Sequence, residues 1–414
     1  MVRFDRDGSW RRFGRVVVAG SPLTIFRTTA AAAPVLDAIE ADRDVADSPL
    51  VERLVHAGAI HPRPGGADGT SDRRHGREAV TIVTPQLGGR ATLDGRTTVD
   101  DGSHPPIEGA SVRLERNCGP AAARNAGRLV VTTPLIAFVD ADVELGGESG
   151  SWLDRLVLHF DDPRVGLVAP RVMGEPRSSL DLGTAPGRIR AGSRIGYVPG
   201  AAIVVRVEAF DDVGGFDEGL RYGEDVDFVW RLDQAGWRCR YEPASAVWHE
   251  PRSTWRGRLR QQVGYGTSAA PLALRHPSAL TPVRSNGWTT AAWTAVLMRH
   301  PVVGLGVAIG SAGVLVPTMR DVPARAAFML AMTGHLRAGQ QYASAVRRVW
   351  WPIVAVAAIV SRRARVVLMG AIALDVASTP NDVAYGWGVW RGIVRHRTLR
   401  PIVPLLSAWP RRRS

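Results

Sequence analysis

FVDADVEL, Phe138 to Leu145, is the stretch on which the reading of this chain turns. Five apolar residues, Leu135 to Val139, run straight into Asp140-Ala141-Asp142. A short apolar run bounded by polar residues predicts a buried strand. On a strand, residues i and i+2 point to the same side, so Asp140 and Asp142 could converge on one oxygen-seeking cation. Aspartate also forms turns at strand ends, and the D-x-D pattern alone does not separate the two readings.

Working outward, further apolar runs stand at VTIV (80–83), TTVD (97–100), VGLVAP (165–170) and AAIVV (201–205). They alternate with helix-like segments from Ala79 to about His249, which predicts an open α/β sheet. Ligands bind such sheets at the carboxyl ends of the strands. Asp100-Asp101 and Asp140-Asp142 both fall at such ends.

The 414 residues suffice for two or three domains. The formal charge of +13 comes from Arg alone, because the chain contains no Lys. A basic surface suits an anionic membrane or a phosphorylated ligand. No nucleic-acid-binding motif accompanies it, so nucleic acid is not an expected partner. Cys118 and Cys239 are too few for a zinc cluster or a disulfide framework, which suggests a reducing compartment. MVRFDRDGSWRRFG at the start has no apolar core and does not read as a secretory signal.

Residues 1–60 predict a hairpin about Ala19-Gly20-Ser21-Pro22, then two helices. Thr28 or Thr29 is the expected cap of the first helix, and Asp47 or Ser48 of the second, which Gly58 ends. This unit resembles the small winged-helix domains that hold precursor peptides. Residues 61–78, rich in Pro, Gly and charge, predict a linker to a domain at 79–270. From 271 to 414 the expectation is a helical, membrane-associated region. Pro301 to Met319 is barely long enough to span a bilayer, and Trp350 to Val360 is too short. Arg362-Arg363, Arg395 to Arg397 and Arg411 to Arg413 suit helices lying on a membrane face.

Two further motifs carry chemistry. Asn117-Cys118-Gly119-Pro120-Ala121-Ala122-Ala123-Arg124-Asn125-Ala126-Gly127 predicts a turn and a helix whose small residues pack closely on the sheet, and Arg124 would approach the acidic crevice. Tyr222-Gly223-Glu224-Asp225-Val226-Asp227 opens a second helix with three acids, where dipole chemistry alone also favours them. With GGFDE (214–218) before and VWHE (247–250) after, the ordered set resembles a family 2 glycosyltransferase of the GT-A type, with a Rossmann-like open sheet. Within that family it is most similar to the mycofactocin-system glycosyltransferases, through GPAAARNAG, YGEDVDFVWRLDQAGWRCRYEP, VWHEPR and YGTSAAPLALRHP.

The resemblance implies an inverting hexosyl transfer from a nucleotide sugar, UDP-glucose, to a peptide-derived acceptor, and the reducing compartment with the Arg-flanked helices points to the cytoplasmic face of a membrane. It implies a divalent metal, Mg²⁺ or Mn²⁺, on Asp142 and Asp140 with His249. It places Pro85, Asp101, Arg124 and Asp140 around the nucleotide, Asp225 as general base and Glu224 orienting it. The chain departs from the family in its first half. Gln86 to Arg96 and His104 to Ser111 are too short, and too rich in Gly and Pro, for the helices that normally join the first strands. It also lacks the Q-x-x-R-W pattern of processive polymerases, and RQQVGYG (260–266) stands there instead. Two other readings compete. FVDADVEL fits a haloacid-dehalogenase phosphohydrolase with Asp140 as nucleophile, although that chemistry ordinarily uses a Lys. A decayed, non-catalytic binding scaffold is the other.

Overall fold

The computed structural model describes residues 2–64, 75–89, 95–145, 151–174, 180–249 and 254–407. It divides into two compact units, Met1–Pro251 and Arg252–Ser414.

The first unit opens with a three-stranded antiparallel sheet, Arg11–Phe13, Val16–Ala19 and Thr24–Arg27. Helices Ala33–Glu40 and Pro49–His56 follow, and strand Ile60–Arg63 returns to pair with Arg3–Arg6. Trp10, Val17, Phe26, Leu36, Ile39, Leu54 and Ile60 make its core. Ser48 caps the second helix as expected, accepting from the Val51 amide. Thr29 makes no side-chain cap, and the Thr28 hydroxyl instead donates to the Arg15 carbonyl and ties down the hairpin. The strand through Arg63 carries this subdomain past the expected boundary at residue 60. Most of the expected linker, residues 65–74, lies outside the described residues.

The larger sheet has nine strands. We label those used below β1 (Val80–Gln86), β2 (Thr97–Asp100), β3 (Val112–Arg113), β4 (Leu135–Val139), β5 (Val143–Glu144), β6 (Val165–Met173), β7 (Gly187–Arg188), β8 (Ala202–Arg206) and β9 (Arg238–His249). Their order is β5-β9-β6-β8-β4-β1-β2-β3, with β7 also on β9. The four strands β4, β1, β2 and β3 run parallel, and β8 inserts antiparallel between β4 and β6. All five residues of β4 are buried, which is why that run is uniformly apolar. Helix α1 (Pro120–Arg128) lies on β1 and β2 through buried Ala121, Ala123 and Gly127. Helix α2 (Glu224–Gln234) precedes β9.

Neither short connector contains a helix among the described residues, yet β1, β2 and β3 still align in parallel. Asp100 explains the second connector. Its buried carboxylate accepts from the amides of Ser103 (2.8 Å) and Ile107 (3.1 Å) and from Arg113 (2.7 Å). Burial alone would raise its pKa, but these donors hold it below the usual carboxylate range. Three charge-assisted bonds at one buried acid do the bracing that a helix would otherwise do.

The second unit is helical. It begins at helix Trp255–Thr267, so the YGTSAAPLALRHP motif lies here and not in the sheet domain expected to end at 270. The reason is a close helix crossing: a Cβ on Gly266 would stand 2.0 Å from the Tyr385 carbonyl, and one on Gly388 2.0 Å from that of Val263. Helix Thr379–His396 therefore seats directly against Trp255–Thr267.

Helix Pro301–Leu315 continues as a 3₁₀ turn to Thr318. Trp351–Val360 is not a separate short segment. It ends a 37-residue rod, Ala324–Val360, interrupted only by a π turn at Val346–Trp350. Both Pro301–Thr318 and this rod are long and apolar enough to cross a membrane. Beside the π turn the Trp390 indole donates to the Val349 carbonyl at 2.8 Å. Arg347 in the turn is buried against Asp375 (3.2 Å) and Asp382 (3.1 Å).

Candidate active site

FVDAD ends its strand in a turn. The strand stops at Val139, and Asp140 to Val143 form a turn closed by the Val143 amide on the Asp140 carbonyl (3.1 Å). The chain then re-enters the sheet as β5, in register with β9 so that Val143 stands opposite His249. The turn, and not strand pleating, sets the two acids, and they take different partners.

Asp142 is exposed at the rim, with its Oδ2 3.4 Å from the Nε2 of His249. That hydrogen bond raises the His249 pKa, against the opposing effect of burial. The other ring nitrogen, Nδ1, is buried with no partner among the described residues. Among the described residues no group of three or more His, Cys, Asp or Glu is arranged to hold an ion. One oxygen and one nitrogen donor suit a cation that completes its shell with substrate phosphates and water.

Asp140 turns inward. Its Oδ1 accepts from the Nη2 of Arg124 at 2.6 Å. Arg124 is 2% exposed, so it is not open to a nucleotide as the resemblance implied. Its guanidinium also donates to the Gly200 carbonyl (3.2 Å) and to Glu224 (3.0 Å), and lies 5.3 Å from the Phe216 ring centre. One side chain on α1 thus ties the end of β4 to the start of α2. Asp140, already engaged by this cation, is poorly disposed as the nucleophile of a phosphohydrolase.

Gly223, at φ 78°, turns the chain into α2 in a conformation that other residues rarely adopt. It presents Glu224 and Asp225 side by side. Asp225 is partly exposed, and its Oδ2 accepts from the Gly200 amide at 2.9 Å. Burial is the leading cause that raises the pKa of both acids; Asp225 adds to the effect on Glu224, which is pushed up to about 7 with Arg124 opposing. A carboxylate near neutrality can accept a proton and return it.

Asp227, on the same helix, has a different part. It is 1% exposed and holds Arg231 at 2.7 Å, and Arg231 donates to the carbonyls of Val213 and Gly215. It braces the GGFDE loop.

Asp101 lies at the end of β2, with its carboxylate accepting from the amides of Cys118 (2.7 Å) and Gly119 (2.9 Å). Pro85 is half-buried near the end of β1, opposite Val99. Glu250 lies outside the described residues. Sequence reasoning missed three residues here. Gly200 serves Arg124 with its carbonyl and Asp225 with its amide, and only the Pro199-Gly200 step before AAIVV hinted at a turn. Asn125 exchanges two 2.9 Å hydrogen bonds with the Phe216 backbone, and Phe216 packs on Phe138 and Phe228. The motifs that looked separate along the chain meet in one place.

A family model described as glycosyl transferase family 2 matches residues 100–208, and one described as glycosyl transferase family group 2 matches residues 185–360. The chain is 36% identical, over an alignment 470 positions long, to the pre-mycofactocin glycosyltransferase of Mycobacterium tuberculosis, covering 97% of each chain. The chain belongs to glycosyltransferase family 2. As a member of that family it carries a GT-A fold, and the nine-stranded sheet is its core. A second relative, the N-acetylglucosaminyl-diphospho-decaprenol L-rhamnosyltransferase of the same species, is 35% identical over 29% of this chain and 38% of its own. Among solved structures, the mannosyltransferase of Pyrobaculum calidifontis in complex with GDP-Man and Mn²⁺ is 14% identical. It covers 76% of this chain and 87% of that one at a TM-score of 0.43, a likeness too loose to support more.

Proposed function

We propose that this glycosyltransferase acts in mycofactocin biosynthesis, moving glucose from UDP-glucose to a peptide-derived acceptor with inversion, at the cytoplasmic face of a membrane. The observation that carries the reading is the chain of contacts Asp140–Arg124–Glu224, with Gly200 between Arg124 and Asp225. It unites the acids of a donor side with those of an acceptor side. The full-length likeness to the pre-mycofactocin glycosyltransferase supports the pathway and the acceptor.

Asp142 and His249 would hold the divalent cation, Mg²⁺ or Mn²⁺. Bound there, it would neutralise charge on the departing diphosphate. Asp140 borders the ribose, and Pro85 and Asp101 border the base. Asp225 takes the proton of the acceptor hydroxyl as its oxygen bonds to the anomeric carbon and the bond to the diphosphate breaks on the opposite face. Glu224, fixed by Arg124, orients Asp225. The winged-helix-like subdomain would contact the peptide part of the acceptor.

The test is incubation with a panel of nucleotide sugars and a divalent metal, following nucleotide release with and without an extract that makes the acceptor. UDP-glucose should be consumed, and Asp225→Asn should stop transfer while nucleotide still binds. If no donor is consumed or bound, the chain is a scaffold and the reading falls.

A further inference from the structure

We propose that the helical hairpin Trp351–Ala373 lies in the surface of a bilayer containing anionic lipid. The proposal rests on the membrane association read above and is separate from the reaction.

The first leg, WPIVAVAAIV, is apolar throughout, yet none of its ten residues is buried. Val356 is 68% exposed, Ile359 76% and Val360 88%. The second leg, Arg362–Ala373, packs on the first and exposes Val366 and Met369. Two adjoining helices with uncovered aliphatic faces form a patch that water does not tolerate without function. The charge pattern selects its cover. Residues 351–374 contain no Asp or Glu and carry Arg362, Arg363 and Arg365 at the turn between the legs. An anionic headgroup layer complements that pattern, whereas an apolar protein groove would strand the cations.

Geometry selects the orientation. Beyond the π turn the first leg projects ten residues, about 15 Å, half of the hydrocarbon thickness. Entering tip first would put three Arg at the deepest point, which is costly. Lying in the plane of the interface lets the aliphatic faces sink among the acyl chains while the Arg side chains extend to phosphate. Arg365 already reaches back to the carbonyls of Ala358 (3.1 Å) and Ile359 (3.4 Å), which holds the two legs together at the turn.

The test uses the full chain with Cys118→Ser and Ile359→Cys, labelled with an environment-sensitive dye. Cys239 is buried and should not react. The labelled chain is mixed with vesicles of phosphatidylcholine alone, or with added phosphatidylglycerol, and floated. The expected result is a blue shift and quenching by a lipid-borne quencher with the mixed vesicles, and no shift for the same dye on Leu129→Cys. Arg362→Gln with Arg363→Gln should weaken partition to mixed vesicles about tenfold or more. Flotation with an unshifted dye at 359 would overturn the hairpin's role while leaving membrane association standing. Failure to float would overturn both, and neither result touches nucleotide release.

Discussion

Arg124 and Glu224, a hundred residues apart in sequence, meet at 3.0 Å in the buried floor of the site, and the same guanidinium holds Asp140 at 2.6 Å. Donor-side and acceptor-side carboxylates therefore share one counter-ion. Removing it leaves buried negative charge without compensation, so Arg124→Met should destabilise the protein by about 3–5 kcal/mol. Arg124→Lys keeps the charge but cannot fork to both acids. It should fold with a near-native melting temperature yet lose most of its kcat, with KM for the donor changed less. A Lys variant with full kcat would show that the fork is not needed.

Glu224 sits near a pKa of 7 and Asp225 is raised above its ordinary value. A raised carboxyl stays protonated to higher pH, and the base works only when its proton is gone. The transfer rate should thus fall on the acid side at a higher pH than an ordinary aspartate would give, and level off above it. Glu224→Gln removes the neighbouring negative charge and should move the acid limb to lower pH. The measurement is kcat/KM against pH for both proteins, and coincident limbs would refute the coupling.

Asp225 and Asp227 are two residues apart on one helix and have opposite duties. Asp227→Asn weakens the tie to Arg231 and the GGFDE loop, at a cost of about 1–3 kcal/mol. Folded Asp227→Asn should nevertheless turn over, whereas Asp225→Asn should be stable and inactive. Thermal melts beside initial rates distinguish them.

Gly200 leaves little room for a side chain. An added Cβ would lie 3.2 Å from Arg124 Nη2 and 3.3 Å from the Cβ of Asp225. Both neighbours are fixed, so Gly200→Ala should displace the base slightly and lower kcat about tenfold with little change in melting temperature.

In the second unit, Gly388→Val would drive a side chain into the Val263 carbonyl, from which even a Cβ would be only 2.0 Å. Helices Trp255–Thr267 and Thr379–His396 should part, giving an early melting transition and protease sensitivity after residue 252.

The sheet, the acidic strand ends and the family were legible because each rests on short-range signals: the apolar run of β4, the Gly-Pro start of α1, the Gly223 turn. The parts that were not legible depend on long-range partners. Nothing in the spacing of D-x-D says that Asp140 will face a buried Arg while Asp142 faces His249, because the turn that separates them is closed by the return of β5 onto β9. Arg124 was expected to approach the acidic crevice, but nothing near it in sequence announced Glu224 as its partner. Asp100 looked like half of an acidic pair, and its work is to replace a missing helix with three hydrogen bonds. The rod Ala324–Val360 was read as a short segment because Arg347 and Arg348 interrupt its apolar run, and the acids that neutralise Arg347 lie further along the chain.

The π turn at Val346–Trp350 has an outcome of its own. Such a turn holds one residue more than the regular winding accommodates, so everything after Trp350 is swivelled by about 100° from the frame set upstream. Deleting one residue of the five would rewind the rod as regular helix and leave Val356 and Ile359 facing as they do, whereas regular winding of all five would carry them about 100° around its axis. The direction in which this end of the protein offers its greasy side is thus set by whether those five residues keep their wide winding, so a substitution that tightens the turn would redirect it while a one-residue deletion would not.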